Sequence, residues 1–288
     1  MTHAAFIWAL AATFLSGIQV FAQKVTAHER RDSALNGIIG FSLAALISGA
    51  VLLGTSELPQ GWPIIAGISV CAGMMLCLSS YFRIESLKSI DSVIYFPVSK
   101  VLGPLVVVVL GITLLHEELT LLQFFGVIFS IFVPLILISS TEKHRQKNLA
   151  LGLMLLIIST LLAAGTAPMQ KVVTNLSANL FFPLFVWLTT AAIGSLALYA
   201  ILSRSRRSVE IDKKDLKLGA LNGVFQFASA FAFIKAVSLG QVSIFYVIHA
   251  HYILIPIILS VFYYDEHINL RKFAAIVLSF AAISLLAL

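Results

Sequence analysis

The chain has 288 residues, of which 59% are hydrophobic and 11% charged, and its mean hydropathy is +0.99. Soluble domains carry roughly 25% charged residues, and a domain of this size cannot bury so much apolar surface in one core. These values exclude an ordinary soluble domain and predict a membrane protein. The only two cysteines, Cys71 and Cys77, lie in one apolar segment, which excludes a disulfide framework and indicates no metal site.

Apolar stretches about twenty residues long follow one another along the chain. Each can cross a hydrocarbon layer of roughly 30 Å as a helix, whereas the strands of a barrel would alternate in polarity over about ten residues. The first stretch lacks a basic leading segment and a small-residue cleavage site, so we interpret it as a retained helix. The sequence predicts an all-α membrane protein with ten transmembrane helices, at residues 4–23, 35–54, 63–82, 91–114, 119–139, 149–169, 180–202, 217–235, 241–264 and 270–288.

The basic residues predict how these helices are oriented. With ten spans both termini lie on one side of the membrane, and most of the 19 Lys and Arg residues then lie on the other side, many of them in the polar loop 203–216. Because positively charged loops stay in the cytoplasm, both termini are predicted to lie outside it, in a multi-pass protein of the inner membrane. The net charge of +6 therefore indicates topology, and no nucleic-acid partner is expected.

The two halves of the chain carry matching residues. Residues 23–25 read Gln-Lys-Val and so do residues 170–172, and Arg83 in the first half corresponds to Lys235 in the second. Since each unit has an odd number of spans, the second copy is predicted to be inverted in the membrane, an arrangement common in secondary transporters. The predicted fold is thus two inverted five-helix repeats, at residues 1–141 and 148–288.

Each half also has a span with a proline near its middle, a glutamate about a dozen residues later, and a threonine or asparagine soon after. These residues are Pro104, Glu117 and Thr120 in the first half and Pro256, Glu266 and Asn269 in the second. In this pattern the chain resembles the EamA family of the drug/metabolite transporter (DMT) superfamily. The resemblance implies a central cavity lined mainly by helices 1, 3, 4, 6, 8 and 9, and export or exchange of amino acids and related metabolites.

Lys100 is predicted to lie close to the middle of the membrane, nine positions into the fourth span. A lysine at that depth costs roughly 2.5–3.5 kcal/mol on insertion, so it should face a cavity or a partner. All thirteen acidic residues fall in loops or at the ends of the predicted helices. The charge is therefore met by water, backbone carbonyls or an anionic ligand, or else the side chain extends to the membrane surface or stays neutral among the helices.

The repeat pairs Lys100 with His249, about eight residues into the ninth span. Tyr246 shares a helix face with His249 because the two are three residues apart. Two basic groups would then meet across the two-fold axis. The sequence leaves open whether His249 binds a ligand or makes an ordinary hydrogen bond between helices. His251 lies on another face and is expected to pack against a neighbouring helix.

Glutamine and tyrosine side chains also occur inside the spans, where they either hydrogen-bond a solute or hold helices together. The candidate substrate-binding residues are Lys100, His249, Gln19, Tyr95, Gln226, Tyr246 and Tyr252.

Prolines inside spans free backbone carbonyls and permit kinks, which suit helices that rock but also occur as fixed bends. The candidate hinge residues are Pro97, Pro104, Pro168 and Pro256.

The function that these residues predict best is a secondary transporter that exports a small metabolite with an anionic group, such as an amino acid or organic acid, by alternating access. An exchanger of phosphorylated sugars or nucleotides and a non-carrier such as a lipid scramblase remain alternatives. Efflux of cationic drugs would need a carboxylate inside the membrane, and an enzyme would need a nucleophile and base, a phosphate loop or a metal set, none of which the sequence indicates. No cofactor is expected. The predicted partners are a small solute and the lipid bilayer, with a homodimer left open.

Overall fold

The computed structural model describes residues 2–54, 58–90, 92–137, 148–203, 212–255, 258–259 and 270–288. Within these ranges the chain forms ten α-helices, one short 3₁₀ helix and no strand, which confirms the all-α prediction. The helices are α1 (His3–His28), α2 (Ser33–Leu53), α3 (Trp62–Ser89), α4 (Ser92–Leu115), α5 (Leu121–Leu137), α6 (Leu149–Leu176), α7 (Phe181–Ser203), α8 (Lys213–Ser238), α9 (Val242–Ala250), followed by the 3₁₀ helix His251–Ile253, and α10 (Leu270–Ala287).

Seven of these helices, α1 to α4 and α6 to α8, are long and apolar enough to cross a membrane. The described parts of α5, α9 and α10 form shorter apolar helices. Large apolar side chains point away from the protein, as at Ile193 and Phe280, which are 63% and 68% exposed. A bilayer accommodates such surfaces because its tails accept apolar side chains on the outer face of every helix.

Several helices continue past the ends that hydropathy predicts. The third span was predicted to end at residue 82, whereas α3 runs to Ser89. Likewise α1 runs to His28 and α6 to Leu176. A helix satisfies its own backbone hydrogen bonds, so a polar side chain does not end it. The sequence placed Arg83 in a loop, and this was wrong, because Arg83 lies within α3.

Aspartates are the N-cap residues of two helices. The Asp32 carboxylate accepts a hydrogen bond from the Leu35 N–H at 2.9 Å at the start of α2. The Asp212 carboxylate accepts from the N–H groups of Lys214 and Asp215 at the start of α8, and Asp215 completes a capping box. These caps satisfy backbone donors that the first turn of a helix leaves unpaired.

Glu117, which follows α4, caps α9 in the other half of the chain. Its Oε1 accepts from the Val242 N–H at 2.7 Å, and its Oε2 accepts from the N–H and the hydroxyl of Ser243 at 2.9 and 2.5 Å. The carboxylate thereby joins residues more than a hundred positions apart, at a helix terminus that favours negative charge.

We expect Glu117→Ala to lower the midpoint of thermal unfolding in detergent by about 5 °C, because it leaves buried donors at the start of α9 without an acceptor. Glu118→Ala is the matched control, since the neighbouring side chain is exposed and forms no hydrogen bond or ion pair with the residues that the structure describes. Equal midpoints for the two variants would contradict this role of Glu117.

The helices pack in a regular order. Helix α1 packs against α8 and α3 against α6, while α2 contacts α7 and α8, and α3 also contacts α7. Helix α4 contacts α6 and α9, and α5 contacts α10. Glycines permit the closest approaches: a Cβ on Gly73 would lie 2.5 Å from the Trp187 carbonyl oxygen, and one on Gly223 would lie 2.5 Å from that of Gly40.

The prolines predicted as hinges lie within long helices where the structure describes them. Helix α4 runs through Pro97 and Pro104, and α6 runs through Pro168. Pro256 lies outside the described residues. A hinge function of these prolines stays a prediction.

Candidate functional site

A cavity of about 110 Å³ lies at the centre of the helices. A single water needs roughly 10–15 Å³ by the same kind of measure, so the cavity has room for several waters or a small solute. Its walls come from α1, α3, α4, α6, α8 and α9, with Tyr252 of the 3₁₀ helix and Trp187 of α7. These are the six helices that the family resemblance implies, with one additional residue from α7.

The structure brings all the candidate substrate-binding residues to this cavity. Those that line it are Lys100, His249, Gln19, Tyr95, Gln226, Tyr246 and Tyr252. Pro104 is also part of the wall. These residues come from four different α-helices and the 3₁₀ helix and meet at one cavity. Their role in substrate binding stays a prediction.

The ammonium group of Lys100 lies over the ring of Tyr252, with Nζ 3.6 Å from the ring centroid. This cation–π contact stabilises the charge partially, by about 0.5–2 kcal/mol. Among the described residues, no carboxylate forms an ion pair with Lys100, and none lines the cavity. The cation therefore faces a polar space in which the protein provides no opposite charge.

Arg83 of α3 is a second cation in the cavity wall. Its Nη1 donates to Oε1 of Gln23 at 3.2 Å, a neutral partner. Sequence reasoning missed Arg83 because it ended the third span one residue earlier. The repeat would not have found it either, because its counterpart in the second half, Lys235, lines a separate groove.

His249 contacts both the polar and the aromatic side of the wall. Its Nε2 lies 2.7 Å from the Ser16 hydroxyl, and its ring centroid lies 5.0 Å from that of Phe233 and 5.2 Å from that of Tyr252. Lys100 and His249, which the repeat pairs, thus contact the same ring, that of Tyr252. The bond to Ser16 also joins α9 to α1, so His249 makes the interhelical hydrogen bond that the sequence left open.

His251 does not line the cavity. It is buried, and its Nδ1 lies 2.9 Å from the Val247 carbonyl oxygen of the preceding turn. Its hydrogen-bond contacts are thus with the preceding helix, α9, and its packing against a neighbouring helix stays a prediction.

Buried amides join α1, α2 and α8 beside the cavity. Gln19 donates to Gln226 at 2.6 Å and to Asn222 at 3.2 Å, Gln23 donates to the same Asn222 oxygen, and Asn222 donates to Asn36 at 3.2 Å. Gln19 and Gln226 therefore both line the cavity and hold helices together.

Beyond these amides, charged residues join the loop after α1 to the start of α8. Arg31 pairs with Glu29, Asp212 and Asp215 at 2.8–2.9 Å, and Lys214 pairs with Glu29 at 2.5 Å. The hydrogen bonds from Lys214 and Arg31 hold the pKa of Glu29 below its usual range. The contribution of Glu29 to stability is therefore present above its ordinary pKa and is lost as the pH falls through the lowered value, so this ion cluster is intact at neutral pH.

Comparisons with known proteins relate the second half of the chain to a transporter family. Residues 150–288 match the model of the EamA-like transporter family. A crystal structure of a protein with 14% identity matches with a TM-score of 0.78, over 99% of this chain and 96% of that protein. At this identity the second likeness shows the fold alone. The comparison with curated proteins found no match.

Proposed function

We propose that this multi-pass membrane protein, whose residues 150–288 match the EamA-like transporter family, is a secondary transporter for a small metabolite with an anionic group. The solute crosses through the central cavity by alternating access. Export across the inner membrane, with both termini outside the cytoplasm, is the direction and topology that we propose.

The observation that carries this proposal is the pair of cations in the cavity. Lys100 and Arg83 both line it, and its described lining contains no carboxylate. A charge removed from water and left without a counter-charge is costly, and the cost falls when an opposite charge binds beside it. An anionic group of a solute supplies that charge and can accept hydrogen bonds from both side chains.

The packing of the helices supports two inverted halves. If α1 to α5 exchange with α6 to α10, the contact of α1 with α8 becomes that of α6 with α3. The contact of α2 with α8 becomes that of α7 with α3, and the pairs α2–α7, α4–α9 and α5–α10 each map onto themselves. We infer a two-fold axis in the membrane plane that relates residues 1–141 to residues 148–288, with the cavity on the axis, as in other transporters of this plan.

The contacts between α1 and α8 support alternating access. From the cavity toward the predicted cytoplasmic side, the helices are joined first by the amides around Asn222 and then by the ion cluster around Arg31. We propose that these contacts close one end of the molecule and separate when the cavity opens toward that side.

A panel of solutes tests the charge of the substrate. We expect organic acids, amino acids or phosphorylated sugars to raise the thermal unfolding midpoint of the purified protein, because a ligand that binds only the folded state stabilises it. Lipophilic cations such as ethidium should have no effect. The best anion should then enter proteoliposomes that contain the protein faster than empty liposomes. Stabilisation by cations alone, or lipid scrambling without solute uptake, would contradict the proposal.

A further inference from the structure

Two polar groups in the cavity wall have no hydrogen-bond partner among the residues that the structure describes. The indole Nε1 of Trp187 and Oε1 of Gln170 are shielded from solvent and make no hydrogen bond to any residue that the structure describes. Both side chains are 94% buried, with 6% of their surface exposed. Buried polar groups are almost always hydrogen-bonded, so two exceptions at one cavity indicate that something other than the protein binds there.

Several other hydroxyls and amides around the cavity are already bonded to the protein. The hydroxyl of Thr166 donates to the Ala163 carbonyl at 2.7 Å, that of Ser79 donates to the Ser159 carbonyl at 2.9 Å, and Gln226 accepts from Gln19. Trp187 and Gln170 therefore differ from the polar side chains that hold the helices together.

Trp187 and Gln170 lie between the central cavity and an apolar recess. Both line the central cavity and also a small recess next to it, whose other walls include Val173, Pro183 and Ile234. The other polar residue of the recess, Ser69, donates its hydroxyl to the Ile65 carbonyl oxygen at 2.8 Å. We therefore place the partner of Trp187 and Gln170 in the central cavity, which also holds Lys100 and Arg83.

The two groups have complementary chemistry. An indole N–H only donates, and an amide oxygen only accepts. One chemical group that satisfies both must donate and accept, as a hydroxyl or a carboxamide does. An ammonium group only donates, and the cations of the cavity repel it.

We propose that the transported anion also carries a hydroxyl or carboxamide group, which Trp187 and Gln170 bind while Lys100 and Arg83 bind the anionic group. This inference rests on the proposed function and narrows its substrates to hydroxy acids and related anions, in preference to zwitterionic amino acids.

Two sets of solutes that differ in a single substituent test this inference. Succinate, malate and aspartate carry hydrogen, hydroxyl and ammonium, respectively, at the same carbon. Propionate, lactate and alanine carry the same three substituents on a shorter, three-carbon acid. Their dissociation constants are measured by calorimetry on the full chain in detergent. In at least one set we expect the hydroxyl compound to bind about tenfold more tightly than the other two, because it alone satisfies both buried groups.

Variants assign the preference to the two residues. Gln170→Met keeps the size of the side chain and Trp187→Phe keeps an aromatic ring, and each should reduce the preference for the hydroxyl compound to about twofold or less. Trp62→Phe is the matched control, since Trp62 is half exposed at the start of α3 and does not line the cavity. It should keep the preference of the wild type.

The outcomes separate this inference from the proposed function. Equal binding of hydroxyl and hydrogen compounds, tighter binding of the ammonium compounds, or an unchanged preference in both variants would overturn the inference but leave the anion site standing. If no anion of either set or of the wider panel binds, both fail. The wild-type comparison needs no variant to fold, so it decides the question alone.

Discussion

Replacing Lys100 by methionine is expected to lower the affinity of the cavity for anions by about 100-fold. The variant keeps the length and the apolar part of the side chain but removes the charge that lies over Tyr252. A hydrogen bond to a charged group is worth about 1.5–3 kcal/mol, which corresponds to roughly 10- to 150-fold in binding. The measurements are calorimetric binding of the best anion of the panel and its uptake into proteoliposomes.

Lys235→Met is the matched control for this prediction. Lys235 is a half-buried cation on α8, and it lines a separate groove with Phe231 and Asn179, away from the central cavity. It should bind and transport at the level of the wild type. If Lys100→Met and Lys235→Met behave alike, Lys100 does not bind the solute.

Locking α1 to α8 at the ion cluster is expected to abolish transport. Glu29 and Lys214, whose side chains pair in this structure, are replaced by cysteines in a chain that lacks Cys71 and Cys77. A short bifunctional thiol reagent then joins them and keeps this end closed. Because alternating access requires the end to open, uptake should fall to the level of empty liposomes and return after reduction.

Two controls accompany the cross-link. Each single-cysteine variant receives the same reagent and should retain transport, which separates closure from chemical modification. Binding of the anion in detergent should survive the cross-link, since the residues that line the cavity are not altered. Transport that continues at the wild-type rate after complete cross-linking would refute the idea that this end opens.

The position of Lys100 inside the fourth helix and the absence of an acidic residue from the described cavity lining could be predicted from the sequence, because both depend only on where charges fall along apolar stretches. The same reasoning failed for Arg83. Hydropathy ends a span at the first charge, whereas α3 continues to Ser89 because a cavity wall can hold a polar side chain that lipid cannot. A charged residue just past a predicted span can therefore still lie in the helix and line a cavity, as Arg83 does.

Trp187 and Gln170 could not be singled out for another reason. In a helix of a soluble protein the polar face marks the exposed side and the apolar face the buried side. In a membrane helix both the lipid side and the core side are apolar. The polarity pattern of α7 therefore does not reveal that Trp187 faces the cavity. Only the packing of α7 against its neighbours does.

Glu117 illustrates a third limit. The resemblance drew attention to this glutamate as part of a repeated motif, but no local pattern encodes its contact with Val242 and Ser243 at the start of α9. That contact depends on how the two halves of the chain meet, and it explains physically why an acidic residue is suited to this position.

The proposed transport requires an anion that neutralises the two cations of the cavity, and one measurement tests this requirement most directly. It is an experimental structure of the protein with the anion that stabilises it most in the panel. We predict that the anionic group contacts Lys100, Arg83 or both, inside the cavity. An anion bound elsewhere, or a Lys100 side chain paired with an aspartate or glutamate of the protein, would contradict the account.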